Sequence, residues 1–488
     1  MIHLNRSAKC LEAPSQLPIM FASPPVTMSG SHSNPEEQFM NSIYLKKGYR
    51  LNLTGKPSLD VAKLSRPARV AILPQRFRYV KPRLRVAVGD AVKVGSVLVE
   101  DKRHPELTFC SPGGGKISEI NYGQRRVIQE IVVELDNDEQ FESFEQVTEE
   151  DLETIDRDRL VSILLEAGLW SLIRELPFRD IAARDVTPPA IFVNLDNLEP
   201  FQPHPEVYLN GREDLFAFGL KVLNRLAGDR VKVTAHQNNS KILGRLGGAM
   251  TYACKGNYPA HDPGVLLYRT KADSKENHAW FIDGQDLLLL ARLLKTGRYP
   301  TERVVVLAGS NVKKPQHFET RLGVPIAHIV QNAAEGADVR YIAGGILTGY
   351  TTDKNSYLGF YEKSLMSMPE GRDQGPFLDW VMPGFKKSSY SRAFLSYFNR
   401  AELKMNCNRH GGLRACIACN HCPEVCPVDI LPQLALKSVF AGEVEESLAH
   451  GLLDCVECGL CSYVCPSKIE VAQILRKAKE DFYKDMSS

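Results

Sequence analysis

The chain has 488 residues, 43% of them hydrophobic and 24% charged, which is typical of a globular protein with room for roughly three or four domains. Its formal net charge of +2 excludes the strongly basic balance of a nucleic-acid-binding protein, so we expect no nucleic-acid partner. No apolar run approaches the roughly 20 residues that cross a bilayer, and we expect no transmembrane segment. Any association with a membrane would then come through partner subunits.

The first patterned segment begins near residue 42. Residues 1–41 lack periodicity, contain several Pro and Ser, and carry no secretion signal, so we interpret them as a disordered tail. Met40 immediately precedes the first patterned residues, and a start codon assigned too far upstream is the alternative.

Residues 42–140 show short alternating strands separated by Gly, as at 85–90, 94–100 and 111–117. This pattern resembles the biotinyl/lipoyl barrel-sandwich fold. Lys102, in Glu-Asp-Lys, also resembles the lysine of a lipoyl acceptor turn. Short motifs of this kind are common, so we interpret Lys102 as an ordinary surface lysine and expect no covalent lipoyl or biotin group.

Residues 141–300 alternate between helical and strand patterns, which predicts a Rossmann-like α/β domain with a parallel sheet. The predicted elements are helices over 151–167 and 212–226 and strands over 190–194 and 231–234. No Gly-x-Gly-x-x-Gly follows these strands, and the nearest candidate, at 244–248, is interpreted as a plain turn. The sequence therefore does not predict a dinucleotide phosphate site here.

The C-terminal part contains the same cysteine pattern twice, each time as Cys-x-x-Cys-x-x-Cys-x-x-x-Cys-Pro. This is the spacing of bacterial two-cluster ferredoxins, in which the fourth cysteine of each run ligates the other cluster. It predicts two [4Fe–4S] clusters, the first on Cys416, Cys419, Cys422 and Cys465 and the second on Cys455, Cys458, Cys461 and Cys426. Zinc, which prefers separated cysteine pairs, and disulfides, which need an oxidising compartment, are less suitable alternatives.

The segment around these cysteines, residues 401–488, is predicted to be α-helical. One helix would be capped by Asp429 and run to Gly442, and others would cover 443–453 and 469–484. Together with the cysteine pattern, this predicts a helical two-cluster ferredoxin domain that carries electrons one at a time.

Many stretches beyond residue 42 together resemble a known family, the NqrA subunits of Na⁺-translocating NADH:quinone reductases. The matching stretches are 99–102, 168–170, 177–178, 187–188, 281–286, 305–309, 340–345, 357–359, 380–384 and 427–432. The cysteine runs resemble instead the RnfC subunits of Rnf-type ferredoxin:NAD⁺ oxidoreductases. The glycine-rich nucleotide loop of RnfC is replaced by Ala-Gly-Leu-Trp-Ser-Leu at 167–172, which favours the quinone reductase.

The resemblance implies an α/β multidomain protein with a β-grasp (SLBB-like) module at 301–352 and a connecting segment at 353–400. It implies a peripheral subunit of a six-subunit membrane complex, on the cytoplasmic face of the bacterial inner membrane. This subunit would bind quinone and relay electrons while ubiquinone reduction is coupled to Na⁺ export. Trp170, Tyr258 and His261 are the candidate quinone-lining residues.

Two other functions remain open at this point. One is an RnfC-like protein that binds NADH and FMN and admits electrons to the complex. The other is a docking scaffold whose clusters are mainly structural, although two complete four-cysteine runs argue against it.

Overall fold

A computed structural model of the chain describes residues 41–331, 338–372, 398–399, 401–409 and 411–486. The predicted tail lies outside these residues except for Asn41, as does most of the predicted connecting segment, including the family stretch 380–384. Within the described residues, none of the helices combines the length and apolar character needed to cross a bilayer.

The N-terminal part of the fold consists of short antiparallel strands in two sheets. The first two strands, β1 (Asn41–Leu45) and β2 (Val61–Lys63), belong to sheets described below. The strands of the N-terminal part are β3 (Arg69–Ile72), β4 (Pro82–Leu84), β5 (Ala91–Val92), β6 (Val97–Asp101), β7 (Thr108–Cys110), β8 (Gly115–Tyr122) and β9 (Ile128–Leu135). One sheet has the order β3-β9-β8-β5 and the other β4-β6-β7. Val70, Leu98 and Ile117 are fully buried between them, as expected for a barrel sandwich, and Lys102 is exposed just beyond β6.

The middle of the chain forms an α/β layer structure. Its elements are α1 (Asp151–Thr154), α2 (Arg157–Glu166), β10 (Arg174–Glu175), β11 (Asp180–Ile181), β12 (Ile191–Asn194), α3 (Pro205–Tyr208), α4 (Glu213–Ala227), β13 (Val231–His236), α5 (Ser240–Arg245), β14 (Tyr252–Gly256), α6 (Pro263–Thr270), β15 (Trp280–Asp283) and α7 (Gly284–Thr296). The sheet order is β1-β14-β13-β12-β15-β10-β11, and the pairs from β1 to β15 are parallel. The parallel sheet was predicted from the alternating pattern.

Two details of this domain differ from the sequence prediction. The single helix predicted over 151–167 is broken, because the Asp156 side chain accepts a hydrogen bond from the Asp158 N–H and starts α2 as a new helix. The domain boundary at residue 42 groups β1 with the barrel sandwich, whereas in the structure Ile43 pairs with Cys254 at the edge of the α/β sheet. A strand partner more than 200 positions away leaves no local signal.

The next domain is a mixed sheet of six strands. It adds β16 (Glu302–Ala308), β17 (Gln316–Arg321), α8 (Ile326–Val330), β18 (Val339–Ala343), β19 (Tyr350–Thr352) and β20 (Ser364–Pro369), in the order β19-β18-β20-β16-β17-β2. Strand β20 falls within the segment predicted to be only a connection, yet it lies between β18 and β16 and is almost completely buried.

The last described part is helical. Its helices are α9 (His421–Val425), α10 (Pro432–Ala441), α11 (Val444–Ala449), α12 (Leu460–Tyr463) and α13 (Val471–Met486). Helix α10 ends at Gly442 in the left-handed conformation, as predicted, but Asp429 does not cap it. The Asp429 carboxylate instead forms ion pairs with Arg269 at 2.9 Å and Lys47 at 2.7 Å, which attach this domain to the α/β domain.

Candidate functional site

The eight cysteines of the two runs surround two neighbouring hollows in the helical domain. Cys416, Cys419, Cys422 and Cys465 line one, and Cys426, Cys455, Cys458 and Cys461 line the other, although Cys422 and Cys461 also border the neighbouring hollow. The fourth cysteine of each run thus lies with the first three of the other. The spacing predicts crossed ligation of two clusters, and the assignment of each cysteine to a cluster stays a prediction.

Left-handed backbone conformations bend each cysteine loop around its hollow. Ala418 and Asn420 have positive φ in the first loop, and Glu457 and Gly459 in the second. Among the described residues, no three His, Cys, Asp or Glu side chains converge tightly enough to ligate a single ion. Thiols spread around a volume suit a cubane cluster better than a mononuclear metal.

The cysteines of the two runs differ in burial, from the exposed Cys416 to the buried Cys426. Burial raises the pKa of Cys422 to about 11 and that of Cys426 to about 12. Because a metal ligates the thiolate, assembly of each cluster must displace these protons.

A cavity of about 1060 Å³ lies where the four structural parts meet. It is bordered by residues 75–81 of the barrel sandwich, 344–350 of the mixed sheet, 456–458 of the second cysteine loop, and the carboxyl ends of β12 and β15. The chain runs from β12 to β13 and β14 on one side of the sheet and returns to β15 on the other. The cavity therefore lies at the topological switch point, where open α/β sheets bind ligands.

Tyr258 and His261 line this cavity and connect it to the second cysteine loop. The Tyr258 hydroxyl donates a hydrogen bond to the Cys458 carbonyl at 2.8 Å. The centroids of the Tyr258 and His261 rings lie 5.9 Å apart. His261 Nδ1 accepts from the Leu198 N–H at 3.2 Å, which leaves the Nε2–H as the ring's donor. Burial lowers the pKa of His261 to about 4, so the ring is neutral at physiological pH.

The third candidate lining residue, Trp170, does not border the cavity. It is 1% exposed, packs edge-to-face on Trp280 at 5.6 Å, and donates its indole N–H to the Ala182 carbonyl. Trp170 is therefore a core residue, which explains why the loop at 167–172 tolerates so large a side chain.

Arg174 is a cavity residue that the sequence did not identify. Its guanidinium lies over the rings of Phe281 and Tyr361, at 4.8 and 5.2 Å, and it forms no ion pair among the described residues. Burial lowers its pKa, but a guanidinium remains charged. The cavity thus contains a cation that can donate to a ligand oxygen.

Two carboxylates, those of Glu199 and Glu362, also line the cavity. Glu199 accepts hydrogen bonds from the N–H groups of Leu347 and Thr348 and from the Thr348 hydroxyl, and so fixes the 345–349 loop. Glu362 also borders the cavity, and burial raises the pKa of both carboxyl groups. Either group can retain a proton more readily than a surface carboxylate.

A buried ion network holds the second cysteine loop against the barrel sandwich. Glu457 receives two hydrogen bonds from Arg78, at 2.9 and 3.0 Å, and lies 3.7 Å from the Lys479 ammonium. Burial alone would raise the pKa of Glu457, but Arg78 and Lys479 lower it to about 2. A signal for this network was present in the sequence, because Lys479 occupies the apolar face of α13 four residues after Leu475.

These features define a multidomain iron–sulfur protein whose cluster domain closes one side of a ligand cavity. Family models match the chain in the same order: an NqrA N-terminal barrel-sandwich hybrid domain at 43–136, an NqrA second alpha/beta domain at 155–299, an NQRA C-terminal domain (SLBB) at 304–354 and a 4Fe-4S dicluster domain at 415–469.

Curated relatives cover nearly the whole chain. The NqrA protein of the Na(+)-translocating NADH-quinone reductase of Neisseria meningitidis is 34% identical over 91% of this chain and 100% of its own length. The corresponding protein of Histophilus somni is 32% identical over 84% and 92%. The chain therefore belongs to the NqrA family of Na⁺-translocating NADH-quinone reductase subunits.

A crystal structure of a NAD⁺-reducing [NiFe]-hydrogenase also matches 42% of the chain and 43% of its own, at 17% identity and a TM-score of 0.32. That overlap is too small to support any conclusion. The relatives support the quinone-reductase function predicted from the sequence and give no support to the RnfC-like alternative.

Proposed function

We propose that this chain is the NqrA component of a Na⁺-translocating NADH:quinone reductase complex, and that it binds quinone in the central cavity beside the second of two [4Fe–4S] clusters. When bound, the clusters would carry single electrons through the helical domain. The observation that carries the proposal is the contact between the Tyr258 hydroxyl and Cys458, because it joins the cavity wall directly to a cluster ligand.

The crossed cysteine arrangement supports two clusters with the predicted ligands. Each hollow is lined by the four cysteines that the spacing assigns to it, contributed by two separate loops, and Cys422 and Cys461 border both hollows. Each cluster would therefore also fasten one loop to the other, and assembly should stabilise the domain.

The cavity supplies the groups that a quinone head requires. A quinone needs hydrogen-bond donors near its two carbonyl oxygens and apolar or aromatic surface around its ring. His261 offers a neutral N–H donor, Arg174 offers a cationic donor, and Tyr258 and Tyr361 offer ring surface. Protons for quinol formation can come from Glu362, whose pKa is raised by burial.

The remaining activities of the complex would belong to other subunits. NADH oxidation and Na⁺ transport require a nucleotide site and a membrane path, and we assign both to partners in a six-subunit assembly. The chain itself would be peripheral, on the cytoplasmic face of the bacterial inner membrane.

The test uses protein purified anaerobically. Analysis should give about eight iron atoms per chain and, after reduction with dithionite, EPR signals of two interacting clusters. Removal of dithionite followed by addition of a short-chain ubiquinone should oxidise the clusters, whereas NADH should not reduce the oxidised protein.

Two variants make this test specific for the cavity. His261→Leu should weaken quinone binding about three- to tenfold, which is the net value of one lost hydrogen bond, while leaving iron content unchanged. Trp170→Phe, a change in the core outside the cavity, is the control and should leave quinone affinity unaltered. Reduction of the clusters by NADH, or equal quinone affinity in wild type and His261→Leu, would contradict the proposal.

A further inference from the structure

The two cysteine runs are parts of a longer internal repeat. Each cysteine of the second run follows its counterpart in the first by 39 positions. The backbone repeats in the same register, because Ala418 and its counterpart Glu457 have φ of 52° and 57°, and Asp429 and its counterpart Lys468 have φ of 55° and 59°. The two halves of the helical domain are therefore built alike.

Helices α10 and α13 occupy equivalent places in the two halves. Leu436 of α10 lines the first cysteine hollow, and Leu475 of α13, 39 positions later, lines the second. One helical turn further on, the counterparts are Phe440 and Lys479. Phe440 is 69% exposed, whereas Lys479 is 1% exposed. At this position the repeat therefore has an aromatic residue in solvent in one half and a buried cation in the other.

The buried cation is attached to the second cysteine loop. The Lys479 ammonium donates a hydrogen bond to the Cys455 carbonyl at 2.8 Å and lies 3.7 Å from the Glu457 carboxylate. The counterpart of Glu457 in the first half is Ala418. The second half thus has a buried ion pair at two positions that are uncharged in the first.

The network around this ion pair has an excess of positive charge. The Glu457 carboxylate receives two hydrogen bonds from Arg78 and lies 3.5 Å from Arg476. Glu480 lies 3.9 Å from Arg78. Together with Lys479, the network contains three cations and two carboxylates, which leaves a net charge of +1.

Two further ion pairs beside the second cysteine loop do not change this balance. Arg179 is paired with Asp262 at 2.7 Å, and Lys271 lies 3.4 Å from Asp454. Each pair has no net charge. The excess positive charge in this part of the domain is therefore that of the network to which Lys479 belongs.

A buried positive charge stabilises an added electron. The reduction potential of an iron–sulfur centre depends on net charge, hydrogen bonding and exposure to solvent. Burial disfavours the extra negative charge of the reduced form, and a nearby cation that water does not screen offsets this effect. In the first half, Cys416 is exposed, so water itself can screen the added charge. The second half has Lys479 in place of water.

We propose that Lys479 raises the reduction potential of the iron–sulfur centre held by Cys455, and so favours an electron at the end of the helical domain that borders the central cavity. Lys479 is a positioning residue and not a ligand. It favours uptake of one electron from the centre held by Cys416, which loses that electron, while no bond forms or breaks and no proton moves. This inference rests on the two clusters of the proposed function.

The experiment is an anaerobic redox titration of the cluster-loaded protein, followed by EPR. Lys479→Gln removes the charge but keeps a hydrogen-bond donor for the Cys455 carbonyl. One of the two reduction steps should move to lower potential by about 59 mV or more, which is a tenfold change in a one-electron equilibrium. The matched control is Lys477→Gln, the same change at a 72% exposed position of the same helix, and it should leave both steps where they are in the wild type.

Glu457→Gln provides a second variant with the opposite expected sign. It removes a negative charge from the same network, so the same reduction step should move to higher potential. Iron content is measured for each variant, and this second variant decides the question if Lys479→Gln does not assemble its clusters. A Lys479 that only fastens the loop would lower thermal stability in Lys479→Gln without moving either potential, and that result would overturn the inference. Equal shifts in Lys479→Gln and Lys477→Gln would also overturn it.

Quinone binding separates this inference from the proposed function. Lys479 does not line the central cavity, so Lys479→Gln should bind short-chain ubiquinone as the wild type does. Unchanged potentials in a variant that still reacts with ubiquinone would overturn the inference about Lys479 alone. A wild type that shows the expected potentials but does not react with ubiquinone would overturn the proposed quinone site alone.

Discussion

Asp286 is the buried carboxylate at the junction between the α/β domain and the mixed sheet. It lies in the first turn of α7 and accepts hydrogen bonds from Arg303 at 2.9 Å and from Lys363 at 2.8 Å. Asp286 and Arg303 are 1% and 3% exposed. Replacing Asp286 by Asn would leave a buried guanidinium and an ammonium without their shared counter-charge.

The expected cost of Asp286→Asn is about 3 kcal/mol in the free energy of unfolding. Removing one partner of a buried ion pair typically costs about 3–5 kcal/mol. We expect the lower end because Lys363 also lies 3.2 Å from Asp283 and Arg303 also donates to the Phe360 carbonyl. A loss of this size changes the unfolding equilibrium about a hundredfold.

The assay is equilibrium unfolding in urea, followed by tryptophan fluorescence, to which Trp170 and Trp280 of the α/β core contribute. Glu149→Gln, at an exposed carboxylate that contacts Lys221, is the control and should not shift the midpoint measurably. The triple variant Asp286→Leu/Arg303→Met/Lys363→Met should recover much of the lost stability, because it removes the buried charges together. A midpoint for Asp286→Asn equal to that of the wild type would refute this reasoning.

Three further predictions concern stability and cluster content. Burial lowers the pKa of His261 to about 4 from 6.5, so the stability that the neutral ring confers is complete above pH 6.5 and is lost as pH falls towards 4. Between pH 6.5 and 5, His261→Gln should therefore lose about 2 kcal/mol less of its free energy of unfolding than the wild type, measured by urea titration. Parallel pH profiles of the two proteins would contradict this. Cys419→Ala should lower iron content and the thermal stability of the helical domain together, measured by iron analysis and circular dichroism, and a normally stable iron-poor domain would argue against the ligand assignment. Gly345→Ala places a Cβ within 1.8 Å of the Glu199 carboxylate and should lower the melting temperature. The control is Gly244→Ala, whose Cβ meets nothing within 4 Å and which should not lower it. Equal melting temperatures of the two variants would disprove the close approach.

The features predicted from sequence are those set by local spacing. The cysteine runs could be recognised because the first three cysteines of each run lie within seven residues. The alternating α/β pattern could be recognised because each helix and strand has its own periodicity. The Asp156 break could also have been found, since Asp followed by helical residues is a common start signal.

The cavity could not be derived in the same way, because its wall is assembled from distant parts of the chain. Arg174, Glu199, Glu362 and Glu457 are separated by tens to hundreds of residues, and each alone is an ordinary charged residue. Trp170 was predicted to contact the ligand because it is a large aromatic residue beside a family motif. In the structure it fills the core against Trp280 instead.

Strands β1 and β2 lie early in the chain but pair with strands that are synthesised much later. Both are made before any of the sheets they complete, yet β1 pairs only with β14 and β2 only with β17 among the described strands. During synthesis the first strands must therefore remain unpaired until residues 252–256 and 316–321 have emerged. A fragment that begins after residue 63 would expose the edges of β14 and β17 to other chains, and such edges promote aggregation. The short N-terminal strands thus protect the sheet edges of the two later domains from pairing with other chains.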